Sequence, residues 1–250
     1  MCENGGWSYL ENHFEDTSLI FEVSKRLSLS SVTIHSACSI YHCFHRKLHS
    51  CLPCCQKQWR PTDYNEVLAS TSIYIASKIE EEPLKIRDVV NVCYRILHIH
   101  DPPLEIGEQY WCLRDSILSC EQFVLRVFQF RVSFDSPHKY LLSYLSSLSS
   151  WADLSEWSRA GVSQFAWNLL QDSFHLPICV EEKPSVLSLA ILKLAVECTE
   201  LKLSTEGVSQ LWWQVYEAFH PDVKKSTLEH IACKILQISE FESQSKSSRN

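Results

Sequence analysis

Lys78 and Glu121 are the charged residues whose settings point furthest toward a function. Lys78 closes an apolar run, Ser72-Ile73-Tyr74-Ile75-Ala76-Ser77-Lys78-Ile79, and Glu121 opens another, Glu121-Gln122-Phe123-Val124-Leu125-Arg126-Val127-Phe128-Gln129-Phe130. An ammonium on a long stem offers three N–H donors, and a carboxylate only accepts. On neighbouring helices, such a pair is either an ordinary surface or internal ion pair, or a donor and an acceptor set to fix the register of a partner.

A second cluster holds metal-ligand residue types. His42, His45 and His49 fall at i, i+3 and i+7, one helical face, and Cys51, Cys54 and Cys55 follow. Cys51-x-x-Cys54 has zinc-knuckle spacing, and two histidines would complete four ligands. A strong zinc signature has two separated pairs of close ligands, so the expectation is a reduced, oxidisable loop with no metal and no cofactor.

Catalytic motifs are scarce. The chain of 250 residues has five glycines, about 2% against a usual ~7%, and two of them are Gly5 and Gly6. Phosphate-cradling loops need at least two close together. No G-x-S-x-G elbow and no H-E-x-x-H occur, so catalysis by this chain is not expected. The formal charge is -7, with an acidic excess in both halves, which argues against a protein built to neutralise phosphates. With no signal-peptide pattern at the start, the expected location is the nucleus and cytoplasm. The cysteines there are expected to be free thiols, with Cys38, Cys93, Cys120, Cys198 and Cys233 buried as small apolar residues.

The elements that would position these residues are helices. Apolar residues recur at helical spacing between prolines and small polar clusters. A short first helix is expected around Leu19–Leu27 and a second after Ser30-Ser31. A third is expected from about Asp63 to Glu81, a fourth from Ile86 to His98 and a fifth from Gln109 to Phe128. The fourth and fifth should turn Ile96 and Trp111 inward with their apolar neighbours, and Glu80, Glu81 and Glu82 read as a solvated helix end. Segments 137–150, 157–174, 184–200, 208–219 and 221–239 repeat the count of five, giving ten helices and no sheet. The expected domains are a tail over 1–16, a helical unit over 17–134, a second over 135–239, and a disordered tail over 240–250. One of the adjacent Trp212-Trp213 pair must point away from a core, which makes it a candidate for a second contact surface.

The third-helix sequence Ala76-Ser77-Lys78-Ile79-Glu80-Glu81 resembles the hallmark of the cyclin box, and the run from Glu121 to Phe130 resembles its second hallmark. The segments 86–92, 111–121, 136–145 and 211–219 are similar to those of the small cyclin-Q type. The resemblance covers roughly residues 17–240. It implies an all-α fold of two tandem five-helix cyclin boxes. It also implies that the chain is the activating regulatory subunit of a cyclin-dependent serine/threonine kinase, of the cyclin-dependent kinase 10 type, in a heterodimer without nucleic acid or membrane. The kinase-binding positions it implies are Lys78, Glu121, Ile75, Ile79, Leu125 and Phe130. Segment 48–62 is longer and richer in cysteine than the family carries there. The first helix lacks the M-R-A-I-L patch by which cell-cycle cyclins take R-x-L substrates. The runner-up is a cyclin-fold transcription-factor core that binds DNA or basal factors.

Overall fold

A computed structural model of the chain describes residues 5–51, 62–150, 154–199 and 223–248. The chain divides into two compact units, Asn12–Phe134 and Asp135–Asn250, the latter together with Met1–Glu11. Among the described residues the fold is all-α, with no strand, and no helix is long and apolar enough to cross a membrane.

Five helices precede Phe134: α1 (Gly5–Arg26), α2 (Ser31–Cys51), α3 (Thr62–Ile79), α4 (Ile86–Leu97) and α5 (Glu108–Val127). The stretch expected as a tail over 1–16 is thus helical from Gly5 onward. α3 is the central helix, packed by α2, α4 and α5. Its buried face mixes Leu68, Ile73, Ile75 and Ala76 with Ser70, Thr71, Ser72 and Ser77. Buried hydroxyls need partners, and these bond back to their own helix, Thr71 to the Val67 carbonyl at 2.7 Å and Ser72 to that of Leu68 at 2.8 Å. The helix ends with Glu81 in the left-handed region (φ 60). The Glu82 N–H donates to the Ser77 carbonyl at 2.8 Å, the six-to-one closure of a helix C-terminus, and Pro83 follows.

Two of the three glutamates there differ from the expected solvated end, while Glu81 is exposed. Glu80 accepts from the buried Ser36 hydroxyl at 2.6 Å. Glu82 accepts from the Ser30 N–H at 3.1 Å and from the Thr33 hydroxyl at 2.7 Å. Glu82 thus caps the start of α2 from a distant part of the chain, beside Ser30, which accepts the Thr33 N–H at 3.3 Å as a local N-cap. Spacing along one helix does not reveal such cross-helix bonds.

After Asp135 come α6 (Pro137–Ser149), α7 (Leu154–Ala160), α8 (Val162–Ser173), the single turn α9 (Ile178–Glu181), α10 (Pro184–Cys198) and α11 (Lys225–Ser248). α10 is central here, packed by α6, α8, α9 and α11, and every residue from Val186 to Val196 is buried. The expected helix over 157–174 is two helices, because Gly161 sits at φ 64, a conformation that favours glycine. The tail expected to be disordered is helical to Ser248. There Phe241 and Glu242 are half-buried and Ser243 bonds to the Glu240 carbonyl at 2.7 Å. The expected helix 208–219, with Trp212-Trp213, lies outside the described residues.

Cys38, Cys93 and Cys120 are buried cysteines outside any disulfide, as expected, but Cys198 is exposed. Cys233 is disulfide-bonded, which corrects the all-thiol expectation. Ile96 is only half-buried, and Trp111, expected inward, is 50% exposed. The inward side of α5 is carried instead by Tyr110, Ile117, Cys120 and Val124.

Candidate functional site: a charged pair across two helices

Lys78 lies at the end of α3 and Glu121 on α5, and the packing of these two helices brings them together. Lys78 Nζ donates to Glu121 Oε1 at 2.6 Å. The lysine side chain is 42% exposed and the glutamate 13%, so the carboxylate is held against the protein while the ammonium reaches outward. The same ammonium lies 3.8 Å from the centre of the Tyr74 ring, one turn earlier on α3. In this state the two charges therefore bond to each other, which is the internal ion pair that spacing alone left open.

Of the four apolar positions grouped with the pair, Ile75 is 2% exposed. It belongs to the core and is out of a partner's reach in this state. Ile79 and Leu125 are half-buried. Phe130 is 70% exposed, and both it and Gln129 adopt positive φ, 60 and 51. Neither is glycine, so this backbone is costly and over-determined by its surroundings. The Phe130 N–H closes the end of α5 on the Leu125 carbonyl at 2.8 Å. Lys47 donates to the Val127 carbonyl at 3.3 Å and lies over the Phe128 ring at 4.6 Å, a cation placed at a helix C-terminus. An exposed aromatic thus stands on a fixed turn.

Of the His/Cys cluster, the side chains of His42 and His45 alone lie among the described residues. His42 and His45 are buried and packed on the Tyr41 ring, with centroids at 5.6 and 4.6 Å. Among the described residues no group of three or more metal-ligating side chains converges. Cys54 and Cys55 lie outside the described residues, as do the side chains of His49 and Cys51.

Sequence reasoning missed a part-buried polar junction between α1 and α2. Tyr41 donates to the Asp16 carboxylate at 2.6 Å, and His13 Nδ1 lies 2.9 Å from the Tyr41 hydroxyl. Burial pushes the Asp16 carboxyl up to about 6, against the Tyr41 hydrogen bond and with a push from Glu66. The i, i+4 step from Tyr41 to His45 on α2 is visible in the sequence, but Asp16 lies 25 residues away from Tyr41, and no local spacing links them.

Residues 16–133 match the model of the cyclin N-terminal domain. Cyclin-T1-3 of Arabidopsis thaliana is 29% identical over 193 residues, 75% of this chain and 54% of that protein. Cyclin-L2 of Mus musculus is 29% identical over 69% of this chain and 32% of its own length. Cyclin pch1 of Schizosaccharomyces pombe is 26% identical over 83% and 56%. This chain thus spans about a third to about half of these relatives. A chain of the yeast RNA Pol II CTD kinase CTDK-1 complex superposes with a TM-score of 0.67 at 15% identity, over 92% of this chain and 66% of that one. One from the Chaetomium thermophilum CAK complex bound to ATP-γ-S gives 0.57 at 14%, over 94% and 63%. Those two likenesses speak to the fold, and the segment that carries Lys78 and Glu121 is the one similar to the cyclin N-terminal domain.

Proposed function

We propose that this chain is an activating regulatory subunit of a cyclin-dependent serine/threonine kinase, of the cyclin-dependent kinase 10 type, and that it is a cyclin of the Q type. In this reading residues 135–239 form the second cyclin box, the chain supplies no catalytic group, and the heterodimer works in the nucleus and cytoplasm. Docking turns the kinase C-helix inward, so that its glutamate pairs with the β3 lysine, and helps to order the activation loop.

The observation that carries the reading is the Lys78–Glu121 pair at 2.6 Å, inside the segment that matches the cyclin N-terminal domain. Ile79 and Leu125 are half-buried and Phe130 is exposed on its closed turn. A donor and an acceptor already fixed relative to each other are pre-organised for a partner's paired polar groups, and pre-organisation lowers the cost of binding. Half-buried and exposed apolar groups supply area that leaves water on docking.

Titrating the purified chain into an inactive cyclin-dependent kinase 10, with ATP and a peptide substrate, tests the reading. Phosphate transfer should rise to a plateau at one chain per kinase. No complex and no rise in transfer would refute it. A salt-titrated duplex-DNA assay examines the transcription-core alternative, whose signature is affinity that falls steeply with salt.

A further inference from the structure

We infer that Tyr74 is the positioning residue for Lys78, its ring face acting with the Glu121 carboxylate to hold the ammonium in place before a partner arrives. The inference rests on the proposed docking role of Lys78. Tyr74 and Lys78 are four residues apart on α3, hence on one face. The Lys78 ammonium lies 3.8 Å from the ring centre while it donates to Glu121 at 2.6 Å. A cation within about 6 Å of a ring centroid is attracted by the negative face of the ring. The ring has a fixed base of its own, since Tyr74 packs against the buried cluster of Val90, Tyr110 and Ile117.

Two restraints matter because of what lysine is. Its four-carbon stem loses much rotamer freedom when an ammonium is pinned. A single surface ion pair barely offsets that loss. With Glu121 holding one side and Tyr74 the other, most of the ordering is done in the free chain, and a docking partner meets a lysine already in place. By contrast Lys193, near the end of α10, faces Glu197 of its own helix at 3.2 Å.

The test uses the full chain, Tyr74→Leu and Tyr74→Phe, each with Lys78 intact and with Lys78→Ala, and cyclin-dependent kinase 10 as the binding probe. Tyr74→Leu should weaken kinase binding about three- to tenfold, and Tyr74→Phe, which keeps the ring face, should stay within about twofold of the parent. In the Lys78→Ala background, Tyr74→Leu should cause no further loss. A ring that matters only for packing would weaken binding equally in both backgrounds, and that result overturns the inference. Proton NMR of the Lys78 ε-methylene gives a reading without the kinase. Its resonance should be shifted upfield by the ring in the parent and in Tyr74→Phe, and return to the ordinary lysine position in Tyr74→Leu. Identical resonances in parent and Tyr74→Leu also overturn the inference. A parent chain that fails to bind the kinase sinks the docking role itself, while the resonances still report whether the ring holds the lysine.

Discussion

Each unit is built around one central helix, and the two helices finish differently. α3 carries hydroxyls bonded along its own backbone and ends in three cross-helix ties: Lys78 to Glu121 on α5, Glu80 to Ser36 on α2, and Glu82 to the start of α2. α10 is buried from Val186 to Val196, and its Lys193 turns to Glu197 of the same helix. A central helix whose end is tied to its neighbours by charges offers a polar edge of fixed geometry. One buried along most of its length, as α10 is, offers mainly packing. The docking surface proposed here belongs to the first kind.

The largest expected effect separates the two by their cores. Leu187→Ala, at a fully buried position of α10, should lower the unfolding free energy by about 2–5 kcal/mol. Ser72→Ala on α3 removes a hydroxyl that bonds within its own helix, and should cost about 1 kcal/mol. Urea titrations of the two variants check the contrast, and equal losses would break it.

Acid acts with opposite signs on buried groups of the two units. Burial pushes His138 and His175, both after Asp135, down to about 4. They fold neutral, so the unfolded chain takes up protons first, and stability is lost as pH falls below about 6.5 toward 4. Asp172 opposes them, since burial, aided by Glu242, raises its carboxyl to about 6; it is one group against two. Before Phe134 the raised Asp16 works the other way. The folded state takes up its proton first, so acidification through about 6 adds stability. Hydrogen exchange at pH 7 and pH 5, corrected for intrinsic rates, should show α6 and α8 losing protection. Unchanged protection there would contradict the assignment.

A smaller effect is expected at the glutamate ties. Glu82→Ala should cost about 1–2 kcal/mol by uncapping α2 and removing the acceptor of the buried Thr33 hydroxyl. Burial pushes the Glu82 carboxyl up, but the hydrogen bonds from Thr33 and Ser30 outweigh it and leave it below its ordinary value. Its contribution is therefore present above the unfolded carboxylate range and fades as pH falls through the lowered value. Glu81→Ala, at an exposed residue whose side chain makes none of these ties, is the control. The thermal midpoint should drop for the first variant and stay within the surface range of about 0.5 kcal/mol for the second.

Helices set by local signals were legible in the sequence. Prolines and apolar periodicity place α3, α4, α6 and α10 within two residues of their observed ends. Features that depend on distant partners were not legible. The first helix is expected as a short stretch near Leu19 and runs instead from Gly5 to Arg26, because polar residues such as Asp16 are taken up by Tyr41 on α2. Glu80 and Glu82 read as solvated for the same reason. The site was legible in part: the residue types and spacing of Lys78 and Glu121 point to them, whereas their direct bond and the Tyr74 ring beneath the ammonium required α3 and α5 to be placed in space.

The central claim is that Lys78 and Glu121 serve a partner more than they serve the fold. The direct test measures both properties on the same samples of Lys78→Ala and Glu121→Ala. An ion pair with a half-exposed lysine is worth about 0–1 kcal/mol, so circular dichroism melts of both variants should lie close to the parent. Losing one partner of a charged hydrogen bond at an interface costs about 2–5 kcal/mol, so binding to cyclin-dependent kinase 10 should weaken by at least about tenfold. Variants that melt early yet bind and activate the kinase like the parent would show that the pair is a brace between α3 and α5 and nothing more.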